Sequence, residues 1–121
     1  MAKAEREGFV SQAKLSNFHV SPRKARLVVD MIRGQDVGRA LEILSLCEKK
    51  TGAVVRKLLM SAVANAKHQQ SVDVDELVVK RVWVNEGKVL HRSMPRARGS
   101  ASPIHKRHST ITILLDEAGA K

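Results

Sequence analysis

Residues 87–115 carry six basic side chains, Lys88, Arg92, Arg96, Arg98, Lys106 and Arg107, together with His91, and not one acid. Cations spread along an acid-free segment are suited to meeting a polyanion, because each Lys or Arg that reaches a phosphate releases a condensed counter-ion. A second cationic group sits at Ser21-Pro22-Arg23-Lys24-Ala25-Arg26. Serine followed by proline reads as an N-cap and first helical residue, so Arg23, Lys24 and Arg26 fall near the positive end of a helix dipole, where a cation costs ~0.3–1 kcal/mol. A phosphate held by free backbone N–H groups and by these side chains would remove that penalty. Ser21, Arg23, Lys24, Arg26, Lys88, His91, Arg92, Arg96, Arg98, Lys106 and Arg107, with Lys14 and Lys67, are the expected nucleic-acid contacts.

Other reactive side chains do not assemble into a site. Asp73, Asp75 and Glu76 lack a histidine or glycine at ligand spacing and read as a solvated turn, which leaves a metal-dependent nuclease a remote reading. His105 and His108 have no partner placed to complete a metal site and suit phosphate or solvent contact. Cys47 closes an amphipathic pattern and reads as a small core residue. No glycine-rich phosphate loop or nucleophile motif appears, so no catalytic residue, cofactor, metal or small-molecule substrate is expected.

The chain has 121 residues, a formal charge of +10 and a pI near 10.4, enough for one domain and far more basic than solubility requires. The acid-free segment accounts for six of those charges, leaving +4 for the rest. Phe9, Phe18 and Trp83 are the only aromatic residues, too few for a base-stacking platform, so folded RNA read by shape and phosphate is favoured. Composition also admits an architectural DNA-binding protein whose β-arm wedges Met94 or Pro95 between base steps. A lone cysteine, a charged N-terminus without an apolar core and no run near the roughly 20 apolar residues of a membrane span point to the cytoplasm.

The elements that must position these cations follow from periodicity. Residues 9–20 read as extended. A helix should run from Ser21-Pro22 to Arg33, with Ala25, Val28, Val29 and Ile32 on one face and Gly34 as its stop. Asp36 should cap a second helix with Val37, Ala40, Leu41 and Leu44 inward, reaching about Cys47. Thr51 is the expected cap of a third, ending near His68, with Val55, Leu58, Leu59, Ala62 and Ala66 inward. After a polar break over 69–76, one strand starts at Leu77, and a second covers 109–115. Pro95, Gly99 and Pro103 lie near the midpoint between them, which predicts one long hairpin projecting on the order of 25–35 Å at ~3.3 Å per residue. Residues 87–108 form this arm within a single domain spanning 1–121. An arm that cannot bury both faces should be flexible alone and ordered against its partner.

Three blocks then carry a resemblance: Val20-Ser21-Pro22-Arg23-Lys24-Ala25-Arg26-Leu27-Val28 with Ile32-Arg33-Gly34; Ser61-Ala62-Val63-Ala64-Asn65-Ala66; and Met94-Pro95-Arg96-Ala97-Arg98-Gly99 with Lys106-Arg107. In order and spacing the chain resembles the bacterial large-subunit ribosomal protein L-twenty-two family over about residues 13–115. The resemblance implies an α+β fold, three helices packed on a small antiparallel sheet with a long protruding β-hairpin. It also implies binding to large-subunit ribosomal RNA, help in early subunit assembly, and neighbouring ribosomal proteins as partners. The hairpin would line the nascent-peptide exit tunnel, with Met94, Pro95, Arg96, Ala97 and Arg98 at its tip near the growing peptide, where macrolide-resistance changes occur in relatives. Ser100, Ser102-Pro103 and His108-Ser109-Thr110 depart from the family's usual residues.

Overall fold

The computed structural model describes residues 10–69 and 74–117. Phe9, the earlier N-terminal residues and Asp73 of the acidic cluster lie outside them. The order of elements is β1 (Ser11–Phe18), α1 (Pro22–Ile32), α2 (Val37–Leu46), α3 (Lys50–Gln69), β2 (Leu77–Pro95) and β3 (Ala101–Glu117). A short 3-10 turn over Val74–Glu76 leads into β2, and another over Ala97–Gly99 joins β2 to β3.

Helix α1 forms as its sequence dictates. Ser21 is extended at the N-cap and its Oγ accepts from the Lys24 backbone N–H, while Pro22 occupies the first turn. Ala25, Val28, Val29 and Ile32 are all fully buried, and Gly34 takes the left-handed φ of +80° that ends the helix at little cost. Helix α2 buries Val37, Ala40 and Leu44. Asp36 is its N-cap by position, but the carboxylate makes no capping hydrogen bond; the Asp36 backbone instead bridges to Val78.

Thr51 is not the cap of the third helix. Helix α3 starts at Lys50, and Thr51 is 4% exposed inside its first turn. A helical, buried Thr51 is not the extended residue that an N-cap requires. Beside it the chain packs tightly on the residue that follows α2: a Cβ on Gly52 would stand 2.9 Å from both Cβ and Sγ of Cys47, an approach only glycine allows. Cys47 itself packs against the core, as its position predicts. The inner face of α3, Val55, Leu58, Leu59, Ala62 and Ala66, is buried as its spacing requires.

The strands form one antiparallel sheet in the order β1-β3-β2. Ile111, Ile113 and Leu115 point into the core, and Thr112 and Leu114, on the alternate face of this central strand, are also buried, flanked on both sides by β1 and β2. The three helices cover one face of the sheet. The fold is therefore the expected α+β arrangement. Burial of about 20 aliphatic side chains in one continuous core supplies the main stabilising term, at ~25 cal/mol per Å².

Strand β2 is an edge, and α1 shields it. The Arg26 guanidinium donates through Nη2 to the Val84 carbonyl (3.0 Å), and Arg33 donates through Nη2 to the Val82 carbonyl (2.8 Å) while pairing with Asp30. The backbone of Gly34 and Gln35 exchanges two further bonds with Val79. These contacts satisfy edge carbonyls that would otherwise invite another strand.

Candidate nucleic-acid interface

Beyond the domain, β2 and β3 continue as an isolated ribbon. The pairing shifts register between Glu86 and Val89, then runs through Val89↔Arg107, Leu90↔Lys106, His91↔His105, Arg92↔Ile104, Ser93↔Pro103, Met94↔Ser102 and Pro95↔Ala101. Those seven pairs span about 20 Å at ~3.3 Å per residue. The root at residues 87–88 and the 3-10 turn at the tip lengthen the arm beyond these pairs. Residues 91–101 are all exposed. Pro103 is tolerated because the arm has no third strand to receive a backbone N–H.

Alternate pairs point to opposite faces of a ribbon. Arg107, His91 and His105 therefore share one face, and Lys106 and Arg92 share the other, with Arg96 and Arg98 at the tip. The His91 and His105 rings meet edge to face at 5.1 Å. Charge on both faces and at the end suits an arm surrounded by phosphate. At the tip Arg98 and Gly99 adopt left-handed φ values of +62° and +74°. The turn is closed by Arg96 N–H on the Ser100 carbonyl and by the Ser100 hydroxyl on the Ala97 carbonyl. Ser100 thus has a turn-forming role.

The arm's root is fastened to the start of α1. Ser109, fully buried, donates its hydroxyl to the Val20 carbonyl at 2.6 Å. His108 stacks on His19 with ring centroids 4.8 Å apart, and its Nδ1 lies 3.2 Å from the Lys88 carbonyl oxygen. At Gly87 an added Cβ would lie 3.1–3.2 Å from Asn17 Oδ1 and the His108 carbonyl. The two cationic groups, far apart in sequence, consequently meet. One concavity of about 470 Å³ brings Lys24 and Ser21 together with His19, His105, Lys106 and Arg107. A neighbouring one holds Arg23 and Arg26 with Arg107 and Glu86.

Ser21, Arg23, Lys24, Arg26, Lys106 and Arg107 therefore gather on one surface, with Lys88 at the root and His91, Arg92, Arg96 and Arg98 carried outward along the arm. Lys14 and Lys67 do not join them. Lys14 pairs with Thr112, in the same row as Trp83, on the sheet face away from the helices. Lys67 lies at the far end of α3, beside an apolar hollow that includes Met60 and Val63. Sequence reasoning also missed His19, whose only signal was its place just before the Ser21-Pro22 start. It missed the second duty of Arg26, for which the signal was Arg33 seven residues on, two helical turns along the same face.

Among the described residues no group of three or more His, Cys, Asp or Glu side chains could hold a metal ion, and no helix is long and apolar enough to cross a membrane. The interface offers cations, imidazoles and backbone donors, which can bind and orient phosphates.

Residues 13–116 match the family described as Ribosomal protein L22p/L17e. Among curated relatives, the large ribosomal subunit protein uL22 of Macrococcus caseolyticus is 48% identical over 111 residues, covering 92% of this chain and 90% of the relative. The proteins of the same name from Staphylococcus haemolyticus and Staphylococcus epidermidis are 48% identical over 107 residues, covering 88% of this chain and 92% of each relative.

Proposed function

Because the chain belongs to the ribosomal protein L22p/L17e family, whose members are structural constituents of the large ribosomal subunit, we propose that it holds large-subunit ribosomal RNA on the surface joining α1 to the arm. The observation that carries this reading is the convergence of Arg23, Lys24, Lys106 and Arg107 from opposite ends of the sequence on adjoining concavities. Four cations so placed repel one another and, at the start of α1, oppose the helix dipole. Phosphates between them reverse both penalties.

The domain acts as the anchor and the arm as the probe. The fastening of the arm root through Ser109–Val20 and His108–His19 sets the direction in which the arm leaves the domain, so RNA bound at the start of α1 fixes where the arm points. Cations on both arm faces bridge RNA segments on either side and so favour early assembly of the subunit. The tip, Met94 to Arg98, extends past the packed RNA to the wall of the peptide exit tunnel, beside the nascent chain and neighbouring ribosomal proteins. The particle works in the cytoplasm. The test is co-sedimentation: tagged protein should stay with large-subunit particles through a high-salt wash. Protein absent from those particles, or duplex DNA binding that excess ribosomal RNA fails to compete, would refute the reading.

A further inference from the structure

We infer that the RNA-binding surface extends past α1 to a phosphate site at the start of α3, formed by Lys24, Lys49 and Lys50 around a floor of Val20 and Leu27. This inference rests on the RNA-binding reading above. A concavity of about 520 Å³ is lined by Val20, Lys24, Leu27, Lys49, Lys50 and Thr51. It shares Val20 and Lys24 with the concavity that holds Lys106 and Arg107, and that one shares Ser21 and Arg107 with the hollow beside Arg23 and Arg26. The three form one track, from the arm root around α1 to α3.

The chemistry of the last section is that of a nucleotide strand. Its rim is cationic from two separate elements, and no acid lines it. Its floor is apolar: Leu27 is 56% exposed there, and a ribose or base edge laid against it would cover it. Lys50 is the first residue of α3, and the first turn of that helix has no acid to balance it. Lys49 and Lys50 thus face the same electrostatic penalty as Arg23 and Lys24, and a phosphate removes it in the same way. An acidic protein segment would satisfy the lysines equally; continuity with the track beside the arm favours RNA.

The test uses the full chain and protein-free large-subunit ribosomal RNA, with affinity measured over a range of salt concentrations. Lys49→Gln/Lys50→Gln should make the plot of log affinity against log salt shallower by about 1.4–1.8, from 0.7–0.9 per phosphate contact. Arg56→Gln/Lys57→Gln removes the same charge from exposed positions of the same helix outside the concavity, and should change the slope by less than half as much. Neither variant should unfold at a lower temperature than the unaltered protein, since removing cations from a helix start relieves the dipole and Arg56 and Lys57 are exposed. An unchanged slope for Lys49→Gln/Lys50→Gln, or equal changes for the two pairs, would overturn the site. So would chemical crosslinks in assembled particles joining Lys49 and Lys50 to acidic side chains of another protein and not to RNA. If the unaltered protein showed no salt-dependent binding, the RNA-binding reading itself would fall, which is a distinct outcome.

Discussion

Replacing Arg23 and Lys24 together by alanine should separate binding from stability. Both are exposed, directly follow Pro22 in the first turn of α1, and oppose the dipole by ~0.3–1 kcal/mol each. Their loss should leave the fold unchanged or stabilise it by roughly 0.5–1 kcal/mol at low salt, allowing for screening. The same change removes two phosphate contacts, so the salt dependence of RNA affinity should fall by about 1.4–1.8 in slope. Over a fourfold rise in salt the unaltered protein should then lose about tenfold more affinity than the variant. Arg26→Ala should behave differently, because its guanidinium holds the Val84 carbonyl of the edge strand: a cost of about 1 kcal/mol is expected alongside any weaker binding. Urea denaturation gives the stabilities, and filter binding across salt concentrations gives the slopes. A double variant destabilised by more than 1 kcal/mol (~), or one with an unaltered slope, would refute the argument.

Three other changes probe the scaffold. Gly52→Ala should destabilise by about 1–3 kcal/mol through overpacking against Cys47, and Cys47→Ala should relieve only part of this because the residue-47 Cβ remains, as denaturation midpoints would show. Asp116, with a side chain 6% exposed and 3.0 Å from Lys80 Nζ, should tolerate loss of that lysine poorly: Lys80→Ala is expected to cost about 2–3 kcal/mol by leaving a carboxylate poorly compensated, a loss readable in thermal unfolding. Deleting residues 94–98 should shift the melting temperature by no more than a few degrees (~2–4), since the tip lies outside the core, whereas unfolding of the domain would contradict a separate arm.

The helices were legible because each buries a single stripe: Val28, Val29 and Ile32, or Leu58, Leu59 and Ala62, fall at spacings that no other regular structure would bury together. The arm was legible from its composition, as a strand pattern running on through a segment too polar to enter a core. Strand order was not, because alternation in β3 reports which face is buried and not which neighbours flank it; Leu114, on the alternate face of that central strand, is also buried. Thr51 was misread as a cap because its residue type suits that role, while in the structure it is already helical and buried. At the interface, charge identified Arg23, Lys24, Lys106 and Arg107 but gave no sign that they adjoin. That depends on Ser109 and His108 meeting Val20 and His19 across roughly ninety residues of chain. Lys14 and Lys67, chosen by charge alike, face elsewhere.

On this proposal one continuous basic surface, from the arm through the start of α1, lies against large-subunit ribosomal RNA. A map of protein–RNA crosslinks in the intact particle decides whether it does. Crosslinks should concentrate at Arg23, Lys24, Arg92, Lys106 and Arg107 and connect RNA segments on both faces of the arm. Crosslinks confined to the opposite side of the domain, around Lys14 and Trp83, with none from the arm or α1, would contradict it.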